Sequence, residues 1–269
     1  MQGREKFGIV GRNQSIVIWI KIQAILFLRK QRKIHVCFFV FLHTKNKKYL
    51  FFHTKYKNEG KTMYIDNLME RYPVLKDSSW EIRQGFYLMK KTYEQGGKLL
   101  VAGNGGSAAD SAHIVGELMK SFKKARPLPE TMIQRMKRFD AKRAKHLEEC
   151  LEMPLPAIDL TTNISLSTAY LNDKDSDSLI AQKLLGYGKS GDVFLGITTS
   201  GNSENIIEAA IVAKTIGISV VGLTGADGGE LKHIADICVR VPETETYKVQ
   251  ELHLPIYHCW CLSLEDVFF

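Results

Sequence analysis

His113 and Glu117 stand four residues apart within GNGGSAADSAHIVGEL (103–118), so on a helix both look out from one face. An imidazole and a carboxylate so placed are general acid/base groups. Just upstream, Asn104, Gly105, Gly106 and Ser107 form a turn whose glycines let the backbone come close to a ligand. The first N–H groups of the following helix lack intrahelical partners and suit an anion such as phosphate. Together these residues suggest proton transfer on a phosphorylated substrate. A plain strand-turn-helix carrying a surface ion pair is the competing reading.

A second group is Thr198, Thr199, Ser200 and Ser203, in TTSGNS between an apolar run and a helix-like stretch. A capped turn needs one hydroxyl; four of them with a glycine match a phosphate cradle, where hydroxyl and backbone N–H donors both suit the anion's oxygens. A third group closes the chain, with Gln250, Glu251, His253 and His258 in one stretch. Gln250 and His258 lie about 80° apart around a helix and share a broad face, whereas His253 sits roughly 140° from His258 and looks elsewhere. A lone helical histidine is usually structural, and spacing alone gives His258 no role.

The elements that must position these groups are legible from Met63 onward. Asp77-Ser78-Ser79 offers helix caps, and Ile82, Phe86, Met89 and Tyr93 recur at helical spacing until Gly96-Gly97. Strands are expected at 99–102, 155–160, 192–197, 219–223 and 236–241. A helix is expected from about Ser176 to Leu185 after Asn172-Asp173, and another from Glu204. Strands alternating with helices make an α/β fold, with a parallel sheet covered on both faces and ligands at the C-terminal strand ends. Both phosphate-binding candidates follow strands. Lys123 to Met153 puts Ile133, Met136, Ala144, Leu147 and Leu151 on one helical face among basic residues. It reads as a solvated amphipathic helix or as a lid over the site. Pro255 removes an N–H inside the last helix and should kink it or free a carbonyl.

The net charge of +8 over 269 residues looks at first like a nucleic-acid signal. Its distribution says otherwise: residues 1–62 hold 14 Lys/Arg against 2 Asp/Glu, and the remainder holds 23 against 27. No nucleic-acid partner is expected of 63–269. Residues 1–62 form a basic N-terminal extension, its longest apolar run broken by Lys21 and Gln23 and short of the roughly 20 residues a membrane helix needs. A basic membrane-surface anchor is one reading of it. The abrupt compositional change favours another, with Met63 as the true start and no membrane partner. Cys37, Cys150, Cys238, Cys259 and Cys261 show no CxxC or disulfide-like spacing, which fits reduced thiols in a cytoplasmic protein.

Residues 63–269 resemble the sugar isomerase (SIS) domain family, most closely its sedoheptulose 7-phosphate (phosphoheptose) isomerases. The matching segments are GNGGSAADSAHIVGEL, LND at 171–173, GDVFLGITTSGNSENI, LTGADGG and VQELHLPIYH. The resemblance implies a doubly wound, five-stranded parallel sheet between helices in a three-layer αβα arrangement. It also implies a homotetramer with active sites at subunit junctions. On the family pattern Thr198, Thr199, Ser200 and Ser203 hold the sugar phosphate, while Asn104, Gly105, Gly106, Ser107, Asn172, Asp173 and Gln250 line the substrate. The catalytic glutamate falls on Glu117 and the catalytic histidine on His258. Some members bind zinc through positions matching His113, Glu117, Gln250 and His258. Three features depart from the pattern: a longer 123–153 segment, Tyr247 where some members have aspartate, and Pro255.

The implied reaction interconverts sedoheptulose 7-phosphate and an aldose heptose 7-phosphate through an enediol. Glu117 and His258 would share the acid/base work from opposite sides of the substrate, and zinc would polarise the carbonyl. Two rivals remain at this point. A non-catalytic SIS module, sensing a sugar phosphate or docking on a replication-initiation protein, needs the cradle but no acid/base pair. An isomerase or lyase acting on an amino-sugar phosphate shares the same cradle.

Overall fold

The structure, a computed structural model, describes the backbone of Cys37–Thr44 and Lys47–Thr54 and the whole of residues 63–269. The readings of 1–62 as an anchor or as upstream sequence lie outside the described residues. The chain divides into two compact units, Met1–Lys61 and Thr62–Phe269. In the first, β1 (Cys37–Thr44) and β2 (Lys47–Thr54) pair antiparallel, with Cys37 opposite Thr54.

The second unit opens with α1 (Met63–Arg71), a 3-10 turn over Pro73–Ser78, and α2 (Ser79–Glu94). Then follow β3 (Leu99–Gly103), α3 (Gly106–Met119), α4 (Glu130–Phe139), α5 (Ala141–Cys150), β4 (Ala157–Asp159), α6 (Ile164–Asp173) and α7 (Leu179–Tyr187). The chain continues through β5 (Val193–Ile197), α8 (Glu204–Thr215), β6 (Ser219–Thr224), α9 (Leu231–Ile234), β7 (Ile237–Arg240) and α10 (Thr246–Phe268). The five strands β3 to β7 pair in parallel in the order β4-β3-β5-β6-β7. The expected doubly wound α/β sheet is therefore present.

Every residue of β3 and β5 is buried, as strands covered on both faces must be. Their side chains alternate between two apolar layers. Leu99, Val101, Val193 and Leu195 pack with α1, α2, α3 and α10, while Leu100, Ala102 and Phe194 pack with α7 and α8. Trp260 of α10 lies against Gly85 of α2, where an added Cβ would meet the indole ring at 3.0 Å. Its Nε1–H donates to the Ile82 carbonyl at 2.9 Å. A buried indole N–H needs such a partner, and here it ties α10 to α2.

Several local expectations are corrected. Ser78 precedes α2 but makes no capping bond; its hydroxyl donates instead to the Arg240 carbonyl at the end of β7. The 123–153 segment is not one helix. It breaks at Asp140, whose backbone is extended and whose carboxylate accepts the Arg143 N–H at 2.9 Å to start α5. The helix expected from about Ser176 starts at Leu179 as α7, and the Asn172-Asp173 pair that precedes it closes a further helix, α6. Asn163, left-handed at φ 74°, starts α6 by accepting the Leu166 N–H at 3.1 Å. Helix α10 continues across Pro255, whose missing N–H leaves the Glu251 carbonyl without its helical donor, one of the two outcomes expected of it.

A buried ion pair fixes the far end of α3. The Glu265 carboxylate near the end of α10 accepts the backbone N–H groups of Phe122 and Lys123, each at 2.8 Å, and of Lys124 at 3.0 Å. It also accepts Arg126 Nε at 3.0 Å. Arg126 in turn donates to the Leu118 carbonyl at 2.6 Å and the Glu117 carbonyl at 3.0 Å, the unpaired acceptors at the end of α3. Burial alone would raise the Glu265 carboxyl; these donors outweigh it and hold its pKa below the ordinary value.

Candidate active site

Strand order reverses between β3 and β5, the position where open α/β sheets bind ligands at their C-terminal edge. The glycine turn after β3 and the hydroxyl-rich loop after β5 flank that crevice. Asn104 and Asn205 join them with two reciprocal amide bonds, at 2.9 and 2.8 Å. Gly105 takes φ 55° at the entry to α3, and the first turn closes partly on itself, Ser107 N–H donating to the Asn104 carbonyl at 2.9 Å and Ala108 N–H to that of Gly105 at 3.1 Å. Ser107 is buried against Gly103, where an added Cβ would sit 2.5 Å from the Ser107 carbonyl oxygen.

The hydroxyl loop is braced from behind. Gly201 has φ 73°, and a Cβ there would come within 2.2 Å of the Gly228 carbonyl oxygen. Gly225 N–H donates to the Thr199 carbonyl, Leu231 N–H to the Gly201 carbonyl (each 3.0 Å), and Glu230 N–H to Asn202 Oδ1 at 2.9 Å. The TGADGG turn (224–229) is thus the buttress of the loop. Within the loop Thr198 and Ser203 share a hydroxyl–hydroxyl bond of 2.8 Å, and Ser200 Oγ accepts the Asn202 N–H at 3.1 Å. Part of the hydroxyl capacity is therefore spent inside the loop.

The acid/base candidates gather further along α3. Its buried residues Ser107, Ser111, Ile114 and Leu118 face the sheet, while Asp110, His113 and Glu117 form a second stripe toward α10. His113 Nε2 lies 3.2 Å from Glu117 Oε1 and 3.4 Å from His258 Nε2. Phe122 and Tyr257 pack their rings against His258, with centroids at 5.4 and 5.1 Å. Burial, then the neighbouring His113, depresses the His258 pKa, and Glu117 opposes them. Glu117 Oε2 is buried without a hydrogen-bond partner.

Glu117 and His258 therefore meet on the same imidazole. The face shared by Gln250 and His258 is real, since both look toward α3, but Gln250 packs at its start. A Cβ on Gly106 would lie 2.5 Å from Gln250 Nε2. Eight residues of helix separate Gln250 from His258 by about 12 Å along the axis, so Gln250 does not join the imidazoles. Asn172 and Asp173 are exposed at the end of α6, the amide of one donating to the carboxylate of the other at 2.9 Å. His253 is fully buried on another side of α10. A groove of about 150 Å³ opens beside His258 between α1 and α10, lined by Asn67, Arg71, Tyr72 and Pro255 among others.

The donor set bears directly on the zinc expectation. A tetrahedral ion with nitrogen and oxygen ligands at about 2.0–2.1 Å keeps those ligands roughly 3.3–3.4 Å apart. The His113–Glu117 and His113–His258 separations match such edges. Yet among the described residues no group of three or more His, Cys, Asp or Glu is arranged as a complete metal-holding cluster. The chain presents two edges of a site, with chemistry that suits zinc, and not four closed ligands.

Sequence spacing did not single out Asn205, Asp110 or Tyr257. Asp110 was discoverable, since it lies three residues before His113 on the same stripe. Asn205 and Tyr257 owe their positions to contacts made across the fold.

A family model described as the SIS domain matches residues 141–225. The chain is 40% identical over 179 residues to a phosphoheptose isomerase of Aneurinibacillus thermoaerophilus, covering 66% of this chain and 77% of that protein. It is 38% identical over 215 residues to one from Clostridium acetobutylicum, covering 79% and 96% respectively. Among solved structures, a phosphoheptose isomerase from Francisella tularensis is similar with a TM-score of 0.59 at 30% identity, covering 75% of this chain and 94% of that one.

Proposed function

The chain belongs to the phosphoheptose isomerase family of SIS-domain proteins, and from that premise we propose that it interconverts sedoheptulose 7-phosphate and D-glycero-D-manno-heptose 7-phosphate. The observation that carries the reading is the meeting of Glu117 and His258 at His113, from helices far apart in sequence. A sugar-binding module would need the cradle and no such cluster.

The reaction moves a proton from C1 of the ketose to C2 through an enediol, and a second proton between the two oxygens. Glu117 takes the carbon-bound proton; its Oε2 has a lone pair unspent on any hydrogen bond. His258, whose depressed pKa favours the neutral imidazole, shuttles the oxygen proton. The loop of Thr198, Thr199, Ser200 and Ser203 and the turn of Asn104 to Ser107 hold the phosphate end. His113, with Glu117 on one side and His258 on the other, would supply two edges of a zinc site, and the ion's charge would polarise the carbonyl when bound.

Length supports sharing of sites between copies in a homotetramer. From Gly105 to Glu117 the α3 axis advances about 18 Å. Seven carbons and a phosphate, at roughly 1.5 Å per bond, reach no more than about 12 Å. A cradle and an acid/base group from two different copies would meet that limit. Exposed Trp80, Phe139 and Ile164 supply apolar surface for such contacts.

Incubation of the full chain with sedoheptulose 7-phosphate, followed by NMR, tests the proposal. Growth of the aldose anomeric signals is expected. Absence of turnover, or turnover of an amino-sugar phosphate instead, would overturn the substrate assignment.

A further inference from the structure

Behind His113, on the side away from Glu117 and His258, lies a second pair of polar groups. Tyr257 stands 3.0 Å from His113 Nδ1 through its hydroxyl, which also donates to Asp110 Oδ1 at 3.1 Å. A phenol has one proton to give. With Asp110 ionised the carboxylate takes it, so the hydroxyl accepts from the imidazole and Nδ1 carries the N–H. The tyrosine ring holds the imidazole edge-on, with centroids 5.5 Å apart and planes at 76°.

We infer that Tyr257, held by Asp110, fixes the proton of His113 on Nδ1 and so turns the Nε2 lone pair toward Glu117 and His258. The pair acts as positioning residues for the acid/base site. Nδ1 carries its proton whether His113 is neutral or doubly protonated, and the Nε2 lone pair belongs to the neutral form. Nε2 is then the single atom at which a proton or a metal ion is exchanged. Histidine ligands of metals characteristically donate their second N–H to a fixed acceptor, which sets the ring's orientation and basicity. Here that acceptor is a phenol oxygen. Asp110 Oδ2 is buried with no partner, so Tyr257 supplies the side-chain hydrogen bond its carboxylate receives. This inference rests on the isomerase reading only for its catalytic consequence; the tautomer itself does not depend on the substrate.

The test uses the full chain, labelled with ¹⁵N-histidine and stripped of metal by chelator, with His113 assigned through His113→Gln. Two-bond ¹H–¹⁵N correlations report which nitrogen is protonated. His113 is expected as the Nδ1–H tautomer, and an Nε2–H tautomer in the unmodified protein overturns the inference. Tyr257→Phe is expected to erode the preference and to weaken Zn²⁺ binding, measured by calorimetry, about 10–100-fold. Its kcat should fall while KM stays near the parent value. Asp110→Ala frees the phenol to donate to Nδ1 and should shift His113 toward Nε2–H. An unchanged His113 pattern in both variants overturns the inference. Failure to turn over sedoheptulose 7-phosphate alongside the expected tautomers sinks the substrate assignment alone.

Discussion

His113 and His258 face each other Nε2 to Nε2 at 3.4 Å, although 145 residues separate them in the chain. Two lone pairs at that separation repel, so one nitrogen must carry a proton or both must share a cation. Glu117, 3.2 Å from the same His113 atom, adds a third acceptor to the problem. A site that is stable only with a mobile positive charge at its centre is suited to moving one.

Replacing that third acceptor should be the most damaging single change to turnover. Glu117→Gln keeps shape and loses the base, and kcat on sedoheptulose 7-phosphate is expected to fall about 10²–10⁴-fold. KM should move little, because the phosphate is held elsewhere. Steady-state kinetics by NMR checks both. A kcat within tenfold of the parent would remove Glu117 from the mechanism.

Gly201→Ala should strike the other half of the site. The backbone there is left-handed, at a cost of roughly 1–2 kcal/mol for a residue with a Cβ. The new methyl would also overlap the Gly228 backbone, which cannot swing aside as a side chain can. KM for the sugar phosphate is expected to rise at least tenfold, with a lower urea midpoint. Unchanged values of both would show that the 224–229 buttress does not shape the loop.

Glu265→Ala removes the acceptor of three backbone N–H groups and leaves Arg126 buried without its counter-ion. A loss of about 3–5 kcal/mol is expected, read by urea unfolding. Because Arg126 also caps the end of α3, soluble Glu265→Ala protein should lose kcat as well. Stability within 1 kcal/mol of the parent would show the pair to be dispensable, as some buried ion pairs are.

His253 sets an acid limit on the fold. Burial pulls its pKa down from 6.5 to about 4, partly offset by the Thr224 backbone, and neither ring nitrogen makes a well-formed hydrogen bond. The unfolded chain therefore binds a proton that the folded chain refuses. This costs nothing above pH 6.5, grows as pH falls, and levels off below pH 4 at about 3 kcal/mol. His253→Phe should flatten that part of the stability–pH curve. An unchanged slope would show that the histidine titrates freely in the folded protein.

The sheet and its ligand edge were readable because apolar runs such as Leu99–Ala102 end in glycine or hydroxyl turns. The 103–118 stripe was readable because a helix repeats every 3.6 residues, and that repeat puts His113 beside Glu117. The break at Asp140 was hidden, since one more charged residue in a charged run carries no signal; its capping role depends on an extended backbone. Helix α6 buries no residue, so ISLSTAYLND has no stripe to read. His258 drew its role from the family pattern. Its placement beside His113 follows from the packing of α10 on α3, and so does the Tyr257 contact with Asp110, 147 residues away. Local spacing holds no trace of either.

The segment carrying α4 and α5 leaves and rejoins the fold at almost one point. Met153 N–H donates to the Arg126 carbonyl at 2.8 Å, and Glu152 accepts the Ser121 N–H at 2.8 Å. A stretch pinched shut at its base transmits no tension to what lies beneath. Its tip can grow, shrink or exchange for another sequence while the sheet keeps its dimensions, which makes this the place where such a chain can acquire novelty at little mechanical risk.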